Sequence, residues 1–213
     1  MKCPNCNETN YEPTAKFCHV CGMSLTNVVD LVFTRTLSRR QATKYIIIHH
    51  SGVKSPHSLE DVHRWHQQIR GWAGVGYHFF IDKKGKVYRG RPVDTVGVHA
   101  RDYDQISIGV CFEGDFSQEL MKSCQVSDEA IELLVLLKGV YGAPIVFCDE
   151  LKGWKNSPIE GFKRMEIKNK LSNYFVSSNK NLVQRFNGAD TPELYEWVDL
   201  ECRRFGISSP INM

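Results

Sequence analysis

Tyr45-Ile46-Ile47-Ile48-His49-His50-Ser51 is the stretch from which the chain is best read. An aromatic followed by three isoleucines is a short continuous apolar run, the pattern of a strand buried inside a sheet. It stops at two histidines. Because neighbouring strand residues face opposite ways, His49 and His50 are expected on opposite sides of that sheet.

Working outward, Ser58 is suited to cap a helix whose first turn carries Glu60 and Asp61 and which runs through Val62, Trp65, His66 and Ile69. The glycines from Gly71 to Gly76 break it. Tyr77 to Asp82 and Lys86 to Gly90 read as two strands of a hairpin around Lys83-Lys84-Gly85. Ile106 to Phe112 is another buried strand. Ser127 caps a helix from Asp128 to Tyr141, Pro144 to Cys148 forms a last strand, and Lys163 to Phe175 a further helix. Strands alternating with helices predict an α/β domain: a mixed central β-sheet flanked by helices.

The 213 residues are enough for one such domain with a small appendage. A hydrophobic share of 42% with 24% charged residues is the balance of a globular protein. A net charge of +3 is too small to argue for a nucleic-acid partner. No apolar run is long enough to span a bilayer, and Met1-Lys2-Cys3-Pro4 opens no secretory h-region. The expectation is therefore a cytoplasmic protein without a membrane partner, reaching a cell wall only if it is released there.

Eight cysteines divide unevenly. Cys3-Pro-Asn-Cys6 and Cys18-His-Val-Cys21-Gly22 are two Cys-x-x-Cys knuckles, able to offer four thiolates tetrahedrally to one zinc ion. A segment so short cannot bury enough apolar surface to fold alone, so the metal would supply its folding free energy. Four thiolates leave no open position for chemistry, which makes this a structural zinc ribbon over residues 1–26. Cys111, Cys124 and Cys202 read as small buried apolar residues. Residues 27–43 form a linker, with Arg35, Arg39, Arg40 and Lys44 as a modest basic cluster. It either packs on the main domain, residues 44–175, or meets an anion. Residues 176–213 add a helical extension: Pro192 opens a helix on which Leu194, Trp197, Val198 and Cys202 make an apolar stripe. That stripe and the ribbon are the two candidate surfaces for a protein partner.

The motifs themselves carry a resemblance. Ile-Ile-Ile-His49-His50-Ser, Gly74-Val-Gly-Tyr77-His78-Phe-Phe-Ile, Gly85-Lys-Val-Tyr-Arg-Gly-Arg-Pro92, Gly97-Val-His99-Ala and Ser107-Ile-Gly-Val-Cys-Phe-Glu113-Gly follow one another as in the type-2 N-acetylmuramoyl-L-alanine amidases. That group includes phage endolysins and the peptidoglycan recognition proteins. The resemblance implies one catalytic zinc with three protein ligands and a water, which the metal acidifies while it polarises the amide carbonyl. It assigns His49 as first ligand, Tyr77 as the residue assisting the water, and Lys155 as the stabiliser of the developing oxyanion. His99 lies in a motif that lines the groove, and the resemblance makes it a candidate ligand contact.

Two ligand positions depart from the pattern. Cys148 stands where the second histidine belongs, and no histidine follows His99. Lys155-Asn-Ser157-Pro158 carries Ser157 where the family has Cys or Asp, and a neutral hydroxyl is a poor zinc ligand beside thiolate or carboxylate. Cys148 with Asp149 could rescue a second zinc only through a bulge that turns both toward His49. Three readings stay open: a protein binding peptidoglycan fragments or a repurposed ligand with weak or absent hydrolysis, an active zinc amidase of the phage-lysis type, or an intracellular sensor or assembly component.

Other residues invite a bland reading. His63 and His66, three apart on a helix, are expected at the surface or in packing rather than on a metal. His78 alternates with Tyr77 and should point away from its site as a core histidine. Trp65, Trp72 and Tyr88 are expected in the core. Glu113 is an acid or base in principle only.

Overall fold

A computed structural model of the chain describes residues 31–116, 126–152, 161–178 and residue 205. The zinc-ribbon cysteines, Lys155, Ser157 and the Pro192 helix lie outside the described residues.

The apolar run folds as β1 (Tyr45–His50), and its three isoleucines are completely buried. Burial of each such side chain stabilises the fold by about 1.5–3 kcal/mol, which makes this strand the anchor of the sheet. After it come α1 (Leu59–Gln68), β2 (Phe79–Ile81), β3 (Val87–Arg89), β4 (Ser107–Phe112), α2 (Asp128–Tyr141), β5 (Ile145–Phe147) and α3 (Gly161–Ser178). The five strands form one mixed sheet in the order β3-β2-β4-β1-β5. Only the β2–β3 hairpin is antiparallel, and β1 lies between β4 and β5, parallel to both. The expected α/β class and mixed sheet are therefore present.

Both helix starts are where the sequence puts them. Ser58 caps α1 through a reciprocal pair, its hydroxyl accepting from the Asp61 N–H while the Asp61 carboxylate accepts from the Ser58 N–H. Such a box contributes about 1 kcal/mol. Ser127 likewise accepts from the Ala130 N–H at the start of α2.

Several edges differ from expectation. The strand predicted from Tyr77 begins at Phe79, because the His78 N–H already pairs with the Gly109 carbonyl beyond the regular ladder. The last strand stops at Phe147, and Cys148–Glu150 turn as a 3-10 helix whose Glu150 carboxylate accepts from the Phe147 N–H.

The described part of the expected linker packs on the domain. The Thr34 N–H donates to the Ala73 carbonyl, Phe33 meets the His63 ring edge-on, and Arg39 and Thr95 form an isolated bridge. Its arginines are used internally. Arg35 donates to the Gly71 carbonyl, Arg39 lies 3.6 Å from Asp94, and Arg40 donates to Thr43 and to the Thr95 carbonyl. That is the packed reading of this segment, not the anion-binding one.

One apolar layer unites β1, β4 and β5 with α2, through residues such as Ile46, Ile48, Val110, Phe112, Ile131, Leu134 and Phe147. A smaller cluster under α1 joins Leu59, Val62, Val75, Phe80 and Cys111, with Tyr77 and Tyr88 at its margin. Register puts His49 beside Cys111 and Ile48 beside Phe147 at the C-terminal ends of parallel strands. In open α/β sheets that end is where ligands bind.

Candidate functional site

Four side chains converge there: His49 from β1, Tyr77 from the loop before β2, His99 from the loop before β4, and Cys111 from β4. His49 Nε2 and His99 Nδ1 are 3.0 Å apart, a hydrogen bond between two buried imidazoles. Tyr77 packs on both, with ring centroids 5.4 Å from His49 and 6.4 Å from His99. Its hydroxyl is hydrogen-bonded to the Cys111 side chain. Tyr77 is only partly buried; it packs on buried His66, whose neighbour Trp72 is itself partly exposed.

Burial sets the protonation of these groups. It holds His49 well below the usual imidazole range, with His99 and His50 adding to the effect, and it holds His99 well below that range too, with His78 adding. Both are neutral at pH 7. Burial, with Cys111 adding, raises the Tyr77 phenol well above its ordinary value, so Tyr77 offers an O–H and not a phenolate.

Cys148 lies just past β5 and is almost completely buried. Burial first, and the Asp149 charge second, push its thiol up to about 12. Without a metal it is therefore a neutral thiol. Asp149 is tied to a helix through one oxygen, Oδ2, while its Oδ1 is buried without a hydrogen-bond partner among the described residues. It bonds to Arg164 of α3, which also donates to Glu150 at 2.7 Å and lies over the Phe147 ring at 4.6 Å. The bulge imagined to turn Cys148 and Asp149 together is thus replaced by a 3-10 turn tied to a helix. Among the described residues, no three His, Cys, Asp or Glu side chains are grouped closely enough to hold a metal ion. Of the three ligand positions that the resemblance implies, His49 and Cys148 are described and Ser157 is not.

The remaining histidines have their own tasks. His50 faces away from His49, as strand alternation requires. Its ring stacks on Phe116, and its Nδ1 accepts from the Phe116 N–H. His63 and His66 are packing residues and not surface ones: their Nδ1 atoms accept from the N–H groups of Val75 and Gly76, holding the loop before Tyr77 onto α1. His66, whose ring lies 5.8 Å from Tyr77, is thus a support of the site that its sequence position did not announce.

His78 is a satisfied core histidine. Its Nδ1 accepts from the Gly109 N–H and its Nε2 meets the Thr95 carbonyl. The expectation that it points away from the site is corrected, because its ring meets His99 edge-on at 5.4 Å. The alternation rule fails there because Tyr77 and His78 precede the strand.

Trp65 is also a correction. It is 45% exposed rather than in the core, with Arg70 stacked at 4.7 Å. Tyr88 keeps its hydroxyl on Asp82. Glu113 is buried and accepts from the backbone N–H groups of His57 and Lys83, so it clasps two loops and is not placed as an acid or base.

The comparisons agree with this geometry. The family profile described as Amidase_2, N-acetylmuramoyl-L-alanine amidase, matches residues 39–141, a span that ends before Cys148 and Ser157. The endolysin of Klebsiella phage KP32 is 31% identical over 140 residues, covering 63% of this chain and 92% of the endolysin. The solved N-acetylmuramoyl-L-alanine amidase LysC from Clostridium intestinale URNW is 31% identical with a TM-score of 0.60, over 68% of this chain and 95% of LysC. A complex of peptidoglycan recognition proteins LCa and LCx bound to tracheal cytotoxin is 26% identical with a TM-score of 0.53, over 62% of this chain and 86% of that one. Fold, motif order and relatives converge: the chain belongs to the N-acetylmuramoyl-L-alanine amidase family of phage endolysins and peptidoglycan recognition proteins.

Proposed function

We propose that the chain binds peptidoglycan fragments at the His49–Tyr77–His99 cluster and hydrolyses them weakly or not at all. The observation that carries this reading is the contrast at the sheet's C-terminal end. The polar cluster is assembled, while the position expected to supply the second zinc-binding histidine holds a buried Cys148. Neutral imidazoles and a phenol O–H suit the amides and hydroxyls of a muropeptide. Amide hydrolysis asks for more, a preorganised positive centre where charge develops on the carbonyl oxygen. His49, His99 and Tyr77 are all uncharged at pH 7. The tracheal cytotoxin complex of related recognition proteins supports a muropeptide-like ligand. Calorimetric titration of the full chain with a muramyl tripeptide tests the reading. Binding that weakens about tenfold or more in Tyr77→Ala is expected, and a folded native chain that binds no muropeptide would overturn it.

A second reading, a working zinc amidase, is favoured by the 31% identity to a phage endolysin across 92% of its length. In that reading Lys155 and Ser157, with His49 and Cys148, hold and serve a second zinc beside the ribbon's own.

A further inference from the structure

We propose that Arg70, laid on the Trp65 ring beside the cluster, binds a carboxylate of the ligand's peptide stem and so selects stems with free acids over amidated ones. The inference rests on the reading of this cluster as a muropeptide site, and it names which part of the ligand lies where.

The end of α1 builds the seat. The Ile69 N–H donates to the Trp65 carbonyl, and Gly71 then takes a left-handed turn at φ 65°. A side chain would be strained in that turn, so glycine is what lets the chain reverse. The Trp72 N–H comes back to the His66 carbonyl at 3.0 Å, and Arg35 donates to the Gly71 carbonyl. Between these fixed points Arg70 lies over Trp65, its guanidinium 4.7 Å from the ring centre. A stacked guanidinium keeps the N–H groups around its edge free for a planar partner with two oxygens.

Three observations point this cation at a ligand. It is exposed, and among the described residues no carboxylate lies within ion-pair distance of it. Ring contacts join its platform to the cluster: Trp65, itself exposed, lies 5.3 Å from His66, and His66 lies 5.8 Å from Tyr77. Its charge is felt there too. After burial it is the next cause that keeps His66 low, and it works against the burial that raises Tyr77. An extended tripeptide reaches about 10 Å, the scale of that path, so a stem whose first amide meets Tyr77 carries its acids to Arg70.

The chemistry is complementary. The uncharged His49, His99 and Tyr77 suit amides and hydroxyls, but a muropeptide stem also bears carboxylates, which those three rings do not neutralise. A guanidinium answers them with charge-assisted bonds that can be bidentate. The plainer role for Arg70, a cation favoured at the C-terminal end of α1, gives no dependence on the charge of a ligand.

The test is calorimetric titration of the full chain with two probes, a muramyl tripeptide with free carboxylates and the same tripeptide with them amidated. The native chain should bind the free acid about tenfold more tightly, the fold-change of one net charge-assisted hydrogen bond. Added salt should shrink that preference, because the pair is exposed. In Arg70→Gln the two probes should bind alike. Equal binding of both by the native chain, or a preference that survives in Arg70→Gln, would overturn the proposal and leave the binding reading standing; the first result needs no variant to fold. A native chain that binds neither probe would sink the binding reading, and this inference with it.

Discussion

Acidification is the perturbation for which the structure gives the most definite magnitude. Four imidazoles, His49, His66, His78 and His99, are buried and held neutral, His66 near about 4 and His78 near about 3, both mainly by burial. In the unfolded chain each returns to about 6.5. The folded values are depressed, so below about pH 6.5 the unfolded state binds protons that the native state refuses, and stability falls with pH. The stability is complete above that value and drains away as pH drops toward the folded values. Each group contributes a limiting slope of about 1.4 kcal/mol per pH unit, so four together approach about 5.6 kcal/mol per pH unit. Between pH 6 and 5 the unfolded histidines go from about three-quarters to nearly fully protonated, and the expected loss is about 4–5 kcal/mol. Against a domain stability of about 5–15 kcal/mol that is a large fraction. Urea unfolding followed by tryptophan fluorescence at pH 7, 6 and 5, at constant ionic strength, measures it. His66→Asn, which keeps an acceptor for the Gly76 N–H, should lower the slope by about a quarter. An unchanged urea midpoint from pH 7 to 5 would refute the reasoning.

Other outcomes follow from single contacts. Arg164→Ala should destabilise the domain by about 1–3 kcal/mol in the same urea assay, because it strands the partly buried Asp149 and uncovers Phe147. Cys3→Ala or Cys18→Ala should reduce zinc measured by elemental analysis of the full chain, since residues 1–26 are proposed to fold around that metal. Unchanged zinc content would remove the ribbon from the account.

The sequence showed the sheet, because a run such as Tyr45–Ile48 and the caps Ser58 and Ser127 are local signals that tertiary packing here reinforces. It also showed that His49 and His50 part company, because alternation is intrinsic to a strand. What it did not show depends on contacts between distant residues. The bond between His49 and His99 spans 50 positions and needs the bare Cα of Gly109 on a third segment. Asp149 is tied through Oδ2 to Arg164, 15 residues later on α3. His66 reads as an amphipathic-helix residue until the Gly76 N–H is seen to need its acceptor. Trp65 lies outward because His66 and Val62 take the inner face of α1.

We propose that this member of an amidase family retains its binding cluster while its hydrolytic centre is damaged. The most direct measurement is cleavage of the muramoyl–L-alanine bond in purified peptidoglycan by the full chain, with and without a chelator. It is run beside the double variant Cys148→His with Ser157→Cys, which restores the family's ligand types. Little or no release by the native chain is expected, with a chelator-sensitive gain in the variant that is partial because contacts around the restored ligands are not those of a working site. Robust, chelator-sensitive cleavage by the native chain would contradict it and make the working amidase the correct reading.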